Sequence, residues 1–277
     1  MNKSCYRFQK ITFSYGLLEK CVDATYVVHL ENNGRYENII TQLDKFPITK
    51  MNFILLNKGY LNCEKDEYID TPPKDLVDSY LTIFKHANQQ KYGNILILED
   101  DYFFNEEIKK KSVRYEICQF ISKQKEKDFI YLLGTLPFFI YPTSFNSNHY
   151  RGISAGMHAC IYSKKCRIEI LKLNREKIKD WDIYFNMQFK CYKYIYNKPL
   201  CYQLCPEAEN SKHWGDINLC MYYGSIILKN GIKYLKLDTQ AEPGYSKLYF
   251  LSKYILLINF IIIFLLLILF FILFKYK

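Results

Sequence analysis

The apolar positions of this chain fall into short runs separated by stretches of helical spacing. Residues 26–30 (YVVHL), 52–56 (NFILL), 94–98 (NILIL) and 128–133 (DFIYLL) are brief β-branched or aromatic runs and predict strands. Between them, 35–43 follows the polar turn ENNG, and 74–90 opens behind Pro72 and Pro73, whose missing N–H groups cost nothing in a first helical turn. That second helix places Val77, Tyr80, Leu81 and Phe84 on one face, and a third, 105–123, aligns Val113, Ile117, Phe120 and Ile121. The run Ile95–Leu98 does not alternate, which is the pattern of a strand covered on both faces. Strand and helix in regular succession predict an α/β fold, a mostly parallel sheet flanked by helices.

Beyond Gly134 the pattern loosens. Residues 138–150 carry Pro142, serines and asparagines just after Pro137, and predict a long loop. A small-residue strand at 153–162 (ISAGMHACIY), helices at 164–173 and 180–189, and a short strand at 200–204 follow, while 205–245 has no clear period. Residues 1–23 mix charge and polarity without an apolar stretch and are expected to be an N-terminal extension to a domain of 24–245.

The tail changes the picture. Residues 254–274 (YILLINFIIIFLLLILFFILF) are apolar on every face, with lysines at 253, 275 and 277. A bilayer core asks for roughly 20 apolar residues, so one C-terminal transmembrane helix is expected. With the span so late in the chain, the expected arrangement is a single-pass tail anchor with the globule in the cytosol. Ten cysteines are scattered without a C-x-x-C pair, so zinc frameworks are not indicated and reduced core thiols are expected. The net charge of +10 is spread over dispersed lysines, with only Lys109–Lys110–Lys111 in a run. That distribution suits anionic headgroups or phosphorylated ligands, and no nucleic-acid partner is expected.

The candidate chemistry stands at Glu99-Asp100-Asp101, directly after the apolar strand. Ligands of open α/β sheets bind outside the carboxyl ends of strands. Alternation sends Glu99 and Asp101 one way and Asp100 the other unless the chain turns. Three adjacent carboxylates repel one another, and a hard divalent cation, Mg²⁺ or Mn²⁺, would relieve this while gripping a diphosphate. Acidic residues also commonly precede helices, so the tripeptide alone fits a plain cap for the helix near Asn105 as well. His29 ends the first strand, where it would line a donor pocket. His158 sits in an apolar strand and is read as a core residue, and Trp181 and Trp214 as packed or sugar-stacking rings.

Three stretches in order, TYVVHLENNGRYENIITQL, DSYLTIFKHANQQKYGNILILEDDYFF and AGMHACIYSKKCRIEIL, resemble glycosyltransferase family 25, the lipopolysaccharide-type and procollagen galactosyltransferase group. WDIYFN and PLCYQLCPEAENS resemble that family's acceptor-side aspartate and late L-x-x-Q…S region, so the likeness spans about residues 24–211. It implies a GT-A fold, a divalent metal at Glu99, Asp100 and Asp101, a donor contact at Arg35, and Asp182 as acceptor base. His213 in SKHWG stands where a late histidine serves as third metal ligand. The chain departs from the family at His29, where asparagine is usual, in keeping only Arg35 of an arginine-rich turn, and at Leu81-Thr82, where Ser-His is usual.

The resemblance implies transfer of a hexose from a nucleotide sugar, UDP-hexose at family level, to a hydroxyl of a glycan, lipid or protein near a membrane. Two rivals remain at this point. A nucleotidyl or phosphoryl transferase would use the same carboxylates, but no G-x-x-x-x-G-K-[ST] loop is present. A catalytically inactive, tail-anchored interaction protein on the same scaffold would bind no nucleotide.

Overall fold

The computed structural model of the chain describes residues 4–205 and 219–275. Strands β1 (Tyr6–Thr12), β2 (Ala24–Leu30), β3 (Met51–Asn57), β4 (Ile95–Glu99), β6 (Phe129–Pro142), β7 (His149–Tyr162) and β8 (Tyr192–Tyr196) form one mixed sheet in the order β1-β3-β2-β4-β7-β6-β8. β5 (Tyr102–Phe104) and β9 (Cys201–Gln203) pair separately. Parallel pairing occurs in two places, at the centre, where β2 pairs in parallel with both β3 and β4, and at one edge, where β6 pairs in parallel with β8. β7 is antiparallel to β4 and to β6, so the predicted fourth strand lies one position further out than simple succession suggests.

Helices cover both faces, as the unbroken apolar strand requires. On one side α2 (Pro72–Gln89) packs Val77, Tyr80 and Phe84 against Tyr26, Val28, Ile95 and Ile97. On the other, α1 (Tyr36–Lys45) and α3 (Lys111–Lys123) bury Ile39, Leu43, Val113 and Ile117 with Val27, Ile54, Leu96 and Leu98. Each fully buried aliphatic side chain contributes about 1.5–3 kcal/mol. The helices α4 (Lys164–Leu171) and α5 (Trp181–Met187) follow β7.

Two expectations are corrected here. Part of the supposed extension 1–23 is structure: β1 pairs antiparallel with β3 as an edge strand, and Leu18 and Val22 are buried. Its sequence YRFQKIT hides this because Arg7 and Lys10 sit on an edge, where charge discourages pairing with other chains. The supposed loop 138–150 is the end of a hairpin between two 14-residue strands. Pro137 lies next to a register shift and Pro142 is the last residue of β6, positions where a missing ladder donor is tolerated.

The cysteines also differ from expectation. Cys5 is bonded to Cys63 and Cys21 to Cys118, whereas Cys160, Cys166 and Cys201 are buried free thiols. Scattered spacing gave no hint of this, because each bond joins residues far apart in sequence.

After α6 (Leu219–Tyr234), α7 (Gly244–Lys275) begins inside the domain. Tyr245, Tyr249 and Ser252 are buried, and the two tyrosines belong to the core that also holds Ile140 and Met157. From Ile255 to Leu267 the described side chains are almost all exposed and apolar. Among the described residues no single helix is long and apolar enough to cross a membrane. The single helix expected at 254–274 is therefore not shown; by length and composition only the bent pair Gly244–Ile255 and Leu257–Leu267, at 55°, passes for a span among the described residues. The first half is bound to the sheet, which fixes its direction independently of the apolar half.

Candidate functional site

The carboxyl ends of β2 and β4 lie side by side, with Val28 paired to Glu99. Beyond them the chain turns at Asp100 and Asp101, and the three adjacent carboxylates separate. Asp100 points back beneath the β2 turn. Its carboxylate accepts hydrogen bonds from Leu30 N (3.3 Å), Asn33 Nδ2 (2.5 Å) and Arg35 Nη1 (2.7 Å), and it faces His29 Nδ1 at 3.1 Å. Burial alone would raise its pKa, but His29, Arg35 and Asn33 outweigh that and hold it below the usual carboxylate range. His29 is 3% exposed and stands behind Asp100 rather than at an open surface.

Glu99 and Asp101 face the other way and converge on one residue. Gln203 Nε2 donates to Asp101 Oδ1 at 2.8 Å and reaches Glu99 Oε2 at 3.2 Å. Arg35 Nη1 also lies 3.2 Å from Asp101 Oδ2, so one guanidinium bridges both aspartates while 39% of its side chain stays exposed. Burial and the nearby Asp101 and Asp182 charges push Glu99 well above the usual range. Asp101 is also raised, by burial first, with Arg35 opposing and Asp100 adding to the shift. Gln203 is held in turn by Tyr245 of α7, whose hydroxyl donates to the Gln203 carbonyl at 2.7 Å.

Asp182 enters from the first turn of α5, which Asp180 caps by accepting from Ile183 N at 2.9 Å. Its two oxygens accept from Gly156 N (2.8 Å) and Met157 N (3.1 Å) of β7. Gly156 has φ +70, a conformation that L side chains rarely adopt, and it turns its N–H toward the helix. Burial and the Asp180 charge raise Asp182 to about 7, against the lowering effect of those two N–H groups. The Tyr80 hydroxyl lies 3.4 Å from Glu99 Oε1 and 3.3 Å from the Met157 carbonyl, linking the two halves of the cluster.

Of the residues singled out in the sequence, Glu99, Asp101, Arg35 and Asp182 therefore share one connected site, with Asp100 and His29 as its support. His213 and Trp214 lie outside the described residues. Trp181 is buried and stacked on Tyr80 at 4.4 Å, with no sugar-facing surface. His158 is buried, its Nε2 3.3 Å from the Cys201 carbonyl, and burial lowers its pKa to about 4. Tyr80, Asn33, Gln203 and Tyr245 were not assigned a role from sequence. Tyr80 reads as a member of a helical apolar stripe, and Gln203 is the glutamine of the L-x-x-Q segment and was given no role there.

The donor set fits a hard divalent cation in kind, because Glu99 and Asp101 offer oxygens whose negative charge the fold leaves undercompensated. Among the described residues no group of three or more His, Cys, Asp or Glu side chains could hold a metal. Any such ion would therefore complete its coordination with ligand or water oxygens.

No family profile matches the chain, and no curated protein sequence does. Among solved structures it is similar to A197 from STIV (12% identity, covering 63% of this chain and 81% of that one, TM-score 0.38). It is also similar to a glycosyltransferase involved in glycosylation of the major capsid of PBCV-1 (12%, 67% and 95%, 0.38). A third likeness is to mannose-1-phosphate geranyltransferase from Thermus thermophilus (10%, 64% and 73%, 0.34). Below a TM-score of 0.5 these likenesses carry no functional weight, and family 25 membership is not shown.

Proposed function

We propose that this chain is a metal-dependent glycosyltransferase that moves a hexose from a nucleotide sugar to an acceptor hydroxyl beside a membrane. The observation that carries the reading is the cluster of Glu99, Asp101 and Asp182, part-buried carboxylates with raised pKa at the carboxyl ends of parallel strands. Such an arrangement is unfavourable in the empty protein and becomes favourable once a cation and a diphosphate arrive.

Glu99 and Asp101 would hold Mn²⁺ or Mg²⁺, which supplies charge neutralisation for the departing diphosphate. Arg35, half-exposed and fixed by Asp100, adds a second positive charge at the same edge. Asp182 takes the proton of the acceptor hydroxyl as the acceptor oxygen bonds to the anomeric carbon and the bond to the diphosphate oxygen breaks. A base with a pKa of about 7 is matched to neutral pH. A UDP-hexose donor follows the family resemblance, and a glycan, lipid or protein acceptor is compatible with the site.

Asp182→Asn is expected to lower kcat by about 10²–10⁴-fold and to abolish the acidic limb of the pH–rate profile near neutrality. An unchanged profile would remove Asp182 from the base role.

The apolar half of α7 is read as the membrane anchor. Tyr245, bonded to Gln203, stands only eight residues, about 12 Å of helix, before Lys253, where the apolar run begins. This supports an acceptor close to the lipid surface. The cytosolic placement expected from sequence fits poorly with two disulfides, which persist in oxidising compartments. We read the domain instead as lying on an oxidising side of its membrane. Alkylation of the denatured protein as isolated from its membrane should leave four thiols blocked until reduction. Full alkylation without reduction would return the domain to a reducing compartment.

A further inference from the structure

The β6–β7 hairpin ends beside the start of the apolar run in α7. Tyr249 lies against Thr135 of β6, and four residues later Lys253 Nζ sits 5.1 Å above the Tyr150 ring of β7, which pairs with Pro142 of β6. Helix and strand thus advance in the same direction toward the hairpin tip. Asn197 locks this end: it donates through N to the Asn148 carbonyl at 2.9 Å, and its own carbonyl accepts from Lys253.

The tip itself is unlike a solvated turn. Phe145 is 93% exposed, and Tyr141 and Ile153, which belong to the same hairpin, are also largely exposed. Burial lowers the pKa of Lys253, with the nearby Lys198 adding to the shift; Lys253 is bound to the Asn197 carbonyl, and Lys198 is paired with Glu107. Exposed aromatic side chains on a hairpin whose base packs against the residue that opens an apolar helix match the chemistry of the headgroup region.

We propose that the β6–β7 hairpin is a second lipid contact, with Phe145 and Tyr141 entering the interface of an anionic bilayer next to α7. The occupant is lipid rather than another protein because the base of the hairpin, at Tyr150, packs against Lys253, the residue immediately before the apolar run of α7. Two contacts, hairpin and helix, fix the tilt of the domain, whereas a helix alone would leave it free to swing. The proposal rests on the membrane reading of α7.

The test uses the full chain reconstituted in phosphatidylcholine–phosphatidylglycerol vesicles containing lipids brominated either near the headgroup, to report on 145, or near the acyl-chain ends, to report on 264. Phe145→Trp, Phe264→Trp and Tyr115→Trp are compared after subtracting the emission of the parent protein. Tyr115 is exposed on α3, on the face of the sheet opposite α7. The expected result is quenching and a blue shift at 145, quenching at 264, and neither at 115. Quenching at 264 without quenching at 145 overturns the hairpin contact and leaves the anchor intact. No quenching at 264 overturns the anchor itself. A blue shift at 145 without quenching places that side chain against protein, its own chain or a second copy, rather than lipid, and likewise overturns the proposal.

Discussion

Asp101→Asn is expected to make the ligand-free protein more stable while destroying its response to a metal-bound nucleotide. The carboxylate is desolvated, and the charge of Asp100 lies beside it, so its ionised form is disfavoured despite Arg35. Asparagine keeps an oxygen for Gln203 and removes the charge, a gain of about 1 kcal/mol. The same change withdraws a charged oxygen from the cation that would neutralise the departing diphosphate, and loss of such stabilisation lowers kcat by about 10²–10³-fold. Opposite effects on stability and function separate a site residue from a structural one.

The pH dependence has a definite sign. Glu99, Asp101 and Asp182 have folded pKa values above their unfolded ones. Each binds its proton more tightly in the native state, so its contribution is fully present below the unfolded pKa of about 4 and is lost as pH rises through the folded pKa. For Asp182 that loss runs upward from the unfolded pKa and is complete once pH has passed about 7. Thermal unfolding of the ligand-free protein should therefore move to lower temperature between pH 5 and pH 8, bounds of about that size following from these pKa values. A flat or rising midpoint would contradict the raised values.

Asp100→Ala is expected to act in the opposite direction although the residue is next in sequence. Its carboxylate serves Leu30 N, Asn33 and Arg35 and faces His29. Alanine leaves these groups without their acceptor and frees the 31–35 turn that carries Arg35. Because Arg35 is partly exposed and screened, the ion pair is discounted, and the loss is put at about 3 kcal/mol. This stabilisation is present above the unfolded pKa and disappears as pH falls through the depressed folded value. Urea unfolding at neutral pH measures it directly. A loss below about 1 kcal/mol, the size of an ordinary neutral hydrogen bond, would show that Asp100 does not organise the turn.

The division between these neighbours was legible in part. Strand alternation would put Glu99 and Asp101 together and Asp100 apart; the chain turns after Glu99, and the same division arises from the turn and its partners instead. What alternation could not supply was the partner on each side, because Gln203 and His29 come from distant segments. The central strands were readable because Ile95–Leu98 is apolar at every position, which only a doubly covered strand requires. The edge strand β1 was not, since half its residues meet solvent and its charges resemble those of a tail. The β6–β7 hairpin was hidden by Pro137 and Pro142, which signal loops unless bulges accommodate them. The close approach of β9 to β6 depends on Gly134, where any side chain would collide with the Cys201 carbonyl, and a single glycine does not announce its neighbour.

The central claim is that Glu99 and Asp101 receive a cation and a nucleotide diphosphate together. It is tested most directly by thermal unfolding of the full chain with a panel of nucleoside diphosphates and nucleotide sugars, with and without Mn²⁺, alongside Asp101→Asn. The account expects one nucleotide to stabilise the protein only in the presence of the metal, by about 2.7 kcal/mol at a hundredfold excess over Kd, and expects no shift in the variant. No stabilisation by any nucleotide, or one indifferent to Mn²⁺ and to Asp101→Asn, would contradict it.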